Sequence, residues 1–199
     1  MLAQPLIAAI DSGDFMALNT AEHAIIKAYF GSATDSQGFV SFWRELLKSQ
    51  ATEDEYQKVM MTITDTHAFA DDIRRLLVAG DAKAKDNPNI KALYYEYYYD
   101  GSDYSTGNLF LCTRFDETGT DQGDWASYFD ELINGMVITP YFAFDDDFKM
   151  SNLVRHIAMW HNHATLLDAS LQALKDLQPS VPFGFASHDN PDGMIVVMS

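Results

Sequence analysis

The chain has 199 residues, of which 47% are hydrophobic and 13% aromatic, with 29 acidic against 13 basic side chains and a formal net charge of −16. This composition predicts a globular protein with a hydrophobic core, and it excludes a disordered chain. Lysines and arginines are too few for nucleic acid or an anionic membrane surface to be a partner, because binding to phosphate depends on cationic side chains.

The cysteine content and the first residues point to the cytoplasm. Cys112 is the single cysteine, so no disulfide can form within the chain, as is usual in a reducing compartment. Residues 1–10 lack the basic start of a signal peptide. No segment approaches the roughly 20 apolar residues of a membrane-spanning helix. We therefore expect a cytoplasmic protein.

Residues 1–90 are predicted to be helical. Helices are expected to start at Leu2, at an N-cap on Thr20, at Asp35 or Ser36, and at a capping box formed by Thr52 and Glu55. The last of these can be interrupted at residues 64–67 and is expected to end at Gly80.

From residue 91 the pattern changes to strands. Leu93–Tyr99 and Asn108–Phe115 predict an antiparallel hairpin, and Pro182–His188 with Met194–Met198 predicts a second one across the turn Asn190–Gly193. Between the hairpins, one helix is expected from Asp124 to Gly135 and another from Phe148 to Leu177.

The predicted fold class is therefore α+β. A helical region, residues 1–90, is expected to pack on an α+β region, residues 91–199, as one compact unit. The second region holds an antiparallel sheet of about four strands, with helices inserted between the two hairpins.

The histidines are the candidate metal ligands. His156 and His163 share one face of the predicted helix, and His188 or an aspartate could complete a site. The zincin motif is absent, and the same residues can also form a packing face. Both interpretations stay open. No cofactor is predicted.

Other catalytic patterns are weaker. The sequence from Asp116 to Asp124 is rich in oxygen ligands but lacks the spacing of an EF-hand. There is no nucleophile elbow and no phosphate-binding glycine loop. Cys112 is predicted to be a buried, unreactive thiol within a strand. An enzyme is therefore the less favoured class.

Negative charge is concentrated in one stretch of the chain. Between Glu96 and Asp147 there are twelve acidic residues and one basic residue, Arg114. Aromatic anchors in an acidic rim suit the recognition of a basic protein, although an acidic surface without any partner fits equally well. The predicted partner-binding residues are Asp100, Asp103, Tyr104, Asp116, Glu117, Asp121, Asp124, Trp125, Asp145, Asp146 and Asp147.

The layout of residues 90–199 resembles that of small bacterial toxin-immunity proteins. The tyrosine strand Leu93–Tyr99, the strand from Asn108, the Trp125 segment and the closing hairpin carry this resemblance. It implies an acidic, cytoplasmic α+β protein that sequesters a toxin domain. No functional residue is transferred from it.

Three hypotheses follow. The first is a non-enzymatic acidic protein that captures a basic protein partner, like an immunity protein or an inhibitor. The second is a metal-dependent hydrolase that uses histidine and aspartate ligands. The third is an oligomer of unknown function without a ligand. The sequence leaves the oligomeric state open.

Overall fold

A computed structural model describes residues 2–62, 66–97, 106–116, 124–137, 150–187 and 190–197. Over these ranges the protein has an α+β fold with a helical N-terminal part, as the sequence predicts. The described residues form six α-helices: α1 (Ala3–Ser12), α2 (Phe15–Phe30), α3 (Ser36–Gln50), α4 (Glu53–Thr62), α5 (Thr66–Asp86) and α6 (Asn152–Leu177). Within the described ranges, no helix has the length and apolar character needed to span a membrane.

The helix starts follow from side-chain caps. Asp35 Oδ1 accepts a hydrogen bond from Gly38 N at 2.9 Å, and Thr52 and Glu55 form the expected capping box with bonds of 2.7 and 3.3 Å. The predicted start of α2 at Thr20 is wrong. Asp14 caps that helix by accepting from Ala17 N, and Thr20 lies inside it.

Gly80 does not end α5, which continues to Asp86. A Cβ atom at Gly80 would lie 2.7 Å from Leu109 Cδ2 and 3.0 Å from Leu93 Cδ2. The glycine therefore allows α5 to approach the sheet closely. Close packing, and not helix termination, explains this residue.

In the part of the chain that the structure describes, the sheet has five strands in the order β3-β2-β1-β4-β5. The strands are β1 (Ala92–Tyr97), β2 (Thr106–Cys112), β3 (Phe129–Val137), β4 (Phe183–Ser187) and β5 (Asn190–Val197). Both predicted hairpins are antiparallel, and they join each other through a parallel pairing of β1 with β4. Since Ser187 pairs with Asn190, the predicted turn residues 190–193 belong to β5.

Strand β3, which the sequence did not predict, lies where a helix was expected. Asp124–Ser127 forms one short 3₁₀ helix, and β3 follows it and pairs with β2. Its apolar residues have helix-like spacing, but pairing with β2 decides the conformation, because tertiary context overrides local preference. Gly135, the predicted helix end, lies within β3, where a Cβ atom would be 2.5 Å from Gly107 O.

The chain divides into two compact units. The first unit contains Met1–Ile63 and Tyr141–Asp168, and the second contains Thr64–Pro140 and Ala169–Ser199. In this division α5 belongs to the second unit, because it packs on β1, β2 and β3.

Each unit has its own aromatic core. In the first unit, the Trp43 and Trp160 rings stack at 5.2 Å and 8°, and Phe39 contacts both of them edge-on. In the second unit, Tyr95 stacks on Phe185 at 5.6 Å. Ring packing of this kind adds to the burial of apolar surface in stabilising each unit.

We expect Gly107→Ala to lower the free energy of unfolding of the second unit by about 1–3 kcal/mol, as overpacking does. A Cβ atom at Gly107 would overlap the ring and hydroxyl of Tyr95, which is fully buried. Chemical denaturation monitored through the Trp125 signal measures the effect. Tyr95→Leu in the same chain removes the obstructing ring, so the alanine should cost clearly less in that background. An equal cost in both backgrounds would contradict this account.

Candidate functional site

The structure describes three of the eleven predicted partner-binding residues. Asp116 is half-buried beyond the end of β2, and Asp124 begins the 3₁₀ helix, followed by Trp125. The other eight lie outside the described residues: Asp100, Asp103, Tyr104, Glu117, Asp121, Asp145, Asp146 and Asp147.

Trp125 is not an exposed anchor. Only 3% of its surface is accessible, and it packs edge-on against Tyr94 and Phe115 with ring centroids 5.8 and 5.2 Å away. A Cβ atom at Gly184 would lie 3.0 Å from Trp125 Cη2, so that glycine makes room for the indole. The 3₁₀ helix turns this side chain towards the sheet, and its role is to fill the core of the second unit.

Two exposed aromatic residues, Tyr128 and Phe129, follow Trp125 in the chain. Tyr128 and Phe129 are each 46% exposed and Leu132 is 41% exposed, and the acidic side chains of Asp130 and Glu131 between them are also exposed. We call these five residues, 128–132, the edge patch, because β3 is an outer strand of the sheet. The patch was not predicted from the sequence, because residues 129–132 were expected to lie on a helix with their apolar side chains buried.

Several contacts hold the edge patch in place. Thr113 N donates a hydrogen bond to Tyr128 O at 2.7 Å, and the Arg114 guanidinium lies 3.8 Å from the centre of the Tyr128 ring. The Phe129 ring contacts Phe110 edge-on at 4.8 Å. The patch is therefore fixed to β2, and the Tyr128 ring already accepts one cation on its surface.

Pairing along β3 is irregular at Asp130. Phe129 pairs with Cys112 and Glu131 with Leu111, so Asp130 is an extra residue in β3. A bulge of this kind bends an edge strand and changes the direction of nearby side chains. A partner at this part of the edge would therefore contact side chains, because the bulge interrupts the regular row of backbone groups.

Helix α5 covers the other end of β3. Asp72 Oδ2 accepts from Met136 N at 2.7 Å, and Arg75 Nη2 donates to Asn134 O at 3.0 Å. Lys83, also on α5, pairs with Glu131. The bonds of Asp72 and Arg75 protect the Gly135 end of the edge against added strands, and the ion pair with Lys83 partly offsets the negative charge of Glu131.

His156 takes part in a buried polar network of the first unit. Its Nε2 lies 2.7 Å from Glu22 Oε1, and Trp160 Nε1 donates to the same oxygen at 2.6 Å. Glu22 is 6% exposed. The direction of the bond between His156 and Glu22 depends on the imidazole tautomer, and a carboxylate at Glu22 would accept from an Nε2–H group.

Two further histidines of α6 are buried in the first unit. Burial lowers the pKa of His163 to about 3, and its ring contacts Trp160 edge-on at 5.1 Å. Burial, with a smaller contribution from Arg44, lowers the pKa of His161 to about 4. Both ring nitrogens of His161 are buried, without a hydrogen-bond partner in the part of the chain that the structure describes.

The two predicted metal ligands that the structure describes, His156 and His163, have different contacts and do not form a common site. His156 contacts Glu22, His163 packs on Trp160, and His188 lies outside the described residues. Among the described residues, no three histidine, cysteine, aspartate or glutamate side chains are grouped as metal ligands. The metal site stays a prediction, which elemental analysis of the purified protein would test.

Cys112 is buried, as expected. Burial raises the pKa of its thiol to about 12, so the reactive thiolate is scarce at neutral pH.

A pocket of about 290 Å³ lies between α1, α2 and α6 in the first unit. Its apolar wall is formed by Ala9, Ile10, Phe15 and Leu18, beside the backbone of Gly13. Its polar wall is formed by Asn152, Arg155 and His156 at the start of α6. The sequence gives no motif for this pocket, because its residues come from three separate helices.

Comparisons with known proteins identify no relative. No protein-family model, curated protein or solved structure matches this chain.

Proposed function

We propose that this chain is a non-enzymatic acidic binding protein that captures a basic protein partner in the cytoplasm, in the manner of an immunity protein or inhibitor. The edge patch is the observation that supports the proposal best. It combines exposed aromatic and aliphatic area with acidic side chains on a fixed strand, and aromatic side chains such as tyrosine carry much of the binding energy at protein interfaces.

Charge decides which partner the patch suits. The net charge of −16 makes a second copy of the chain a poor occupant, because two such molecules repel each other. The same field attracts a cationic protein and speeds the first encounter. Tyr128 can hold an arginine or lysine of the partner through its ring, as it already holds Arg114.

The first experiment identifies the partner. Wild-type protein and a Phe129→Ala/Asp130→Lys variant are immobilised and exposed to an extract of the native host. A matched control carries Leu2→Ala/Asp11→Lys, which truncates an apolar side chain just before α1 and reverses the charge of an exposed aspartate within it. A basic protein retained by the wild type and the control, but not by the patch variant, supports the proposal. Retention of an acidic protein instead, or of the same protein by all three chains, would count against it.

The second experiment measures the complex with that partner after separate purification. Tyr128→Ala should weaken binding by about tenfold or more, since loss of an aromatic anchor costs more than about 1 kcal/mol. Asp130→Lys should mainly slow association, with an effect that shrinks as salt is raised. Stopped-flow fluorescence separates these two rates. An association rate that does not depend on salt would refute the electrostatic part of the proposal.

A further inference from the structure

The pairing of β3 with β2 divides the edge patch between the two faces of the sheet. We propose that the basic partner binds the face opposite α5, and that it presents a cationic amphipathic helix to that face. This inference rests on the proposed function. It adds which face of the sheet is used and which kind of segment the partner supplies.

Glu131 points to the face that α5 covers. Residues that are directly opposite in an antiparallel pair have their side chains on the same face. Glu131 pairs with Leu111, and its carboxylate forms an ion pair with Lys83 of α5. On the same face, a Cβ atom at Gly80 of α5 would lie 2.7 Å from Leu109 Cδ2. Helix α5 therefore already occupies this side of the edge patch.

The two exposed apolar side chains of β3 point to the opposite face. Leu132 pairs with Phe110, and Phe129 pairs with Cys112. The Phe129 ring also contacts the Phe110 ring edge-on at 4.8 Å. Phe110 and Cys112 belong to the buried cluster around Trp125. Phe110, Phe129 and Leu132, which we call the apolar strip, therefore extend this cluster to the surface, where Phe129 is 46% and Leu132 is 41% exposed.

The backbone of β3 is poorly suited to the addition of a strand. The bulge at Asp130 interrupts the regular spacing of its hydrogen-bonding groups. Further along, Met136 N donates to Asp72, and Asn134 O accepts from Arg75, so both groups are already bonded to side chains of α5. A helix avoids this difficulty, because its own backbone groups are bonded internally and it binds through side chains three or four residues apart.

Charge beside the apolar strip favours a cationic helix. Asp130 is exposed within β3. The carboxylate of Glu96 lies on the same face as Tyr94 of the buried cluster, whose hydroxyl donates to it at 3.1 Å. Arg114, over the ring of Tyr128, offsets part of this charge. An apolar centre with an acidic border suits a helix whose leucine-like side chains are flanked by lysine or arginine.

The test uses two synthetic peptides of about 14 residues with leucine and lysine in equal number. In the first, the leucines are three and four residues apart, which favours an amphipathic helix, and in the second leucine and lysine alternate, which favours a strand. The ¹⁵N-labelled full chain is titrated with each peptide at about 150 mM salt, where long-range attraction is screened. The helical peptide should shift the amide signals of the apolar strip saturably, and the alternating peptide should bind about tenfold or more weakly.

Variants identify the face that is used. Leu132→Ser should weaken binding of the helical peptide by about tenfold or more, because it removes an apolar contact from the strip. The matched control, Lys83→Glu/Glu131→Lys, reverses the ion pair on the α5 face and keeps the net charge. It should leave the affinity nearly unchanged. Unshifted amide signals in β1 and β4 show that each variant remains folded.

The inference is overturned if neither peptide shifts the signals of the apolar strip, or if the alternating peptide binds as tightly as the helical one. It is also overturned if the ion-pair variant weakens binding as much as Leu132→Ser does. The proposed function survives these results where the edge patch still retains a basic host protein. If the helical peptide binds the strip but the wild type retains no basic host protein, the proposed function fails and the docking surface remains supported.

Discussion

Between pH 7 and pH 5, we expect the first unit to lose on the order of 3–4 kcal/mol of its free energy of unfolding through two histidines. The pKa of His161 is lowered from 6.5 to about 4, and that of His163 from 6.5 to about 3, in both cases mainly by burial. The unfolded chain therefore binds more protons than the folded one below about pH 6.5. The contribution of the two neutral histidines to stability is present above the unfolded pKa of 6.5. It is lost progressively as the pH falls from there towards the folded pKa values.

Urea unfolding at several pH values, followed by the indole signals of Trp43 and Trp160, measures this loss. The matched variant is His161→Leu/His163→Phe, which keeps apolar volume and an aromatic ring beside Trp160. Acid also protonates carboxylates and relieves the repulsion of the net charge of −16, which acts in the opposite direction. The difference between the two chains isolates the histidines, and parallel stability curves would refute the prediction.

Glu22→Leu should destabilise the first unit by about 2–4 kcal/mol, because it removes the shared oxygen of two hydrogen bonds. The substitution leaves the buried Trp160 N–H without its acceptor and Nε2 of the half-buried His156 without its partner. Each such donor then bears its full desolvation cost. Denaturant unfolding followed by the signals of the first unit measures the loss.

Glu22→Gln is the matched control for this change. Its amide oxygen can still accept a hydrogen bond, so it should cost only about 1–2 kcal/mol. The chemical shift of the Trp160 indole proton should be unchanged in Glu22→Gln and altered in Glu22→Leu. That result would identify the hydrogen bond from Trp160 to residue 22 as the cause. Equal destabilisation by both substitutions would show that charge, and not the hydrogen bond, is decisive.

The predictions of helices from local signals are mostly confirmed. Asp35 caps α3 and Thr52 forms a capping box with Glu55, because the donors and acceptors of a cap are only three residues apart. Thr20 was a plausible cap by residue type, yet Asp14 holds that role. The sequence offered two competing caps, and the longer helix is the one that forms.

The candidate sites were much harder to predict. Trp125 was expected to be exposed and is buried, whereas Phe129 was expected to be on a helix and lies on an exposed edge strand. The pocket and the Glu22 network join residues more than a hundred positions apart, as in the bond between Glu22 and His156. No local spacing reports such contacts.

What the sequence determined by itself is the fold class, the excess of negative charge and the position of most helices and of four strands. These properties depend on composition, on hydrophobic period and on contacts within a few residues. Only the tertiary structure decided that Gly80 lies inside a helix, that residues 129–137 form a strand, and which side chains are exposed. The physical reason is that packing against distant segments outweighs the small local preferences of a short stretch of chain.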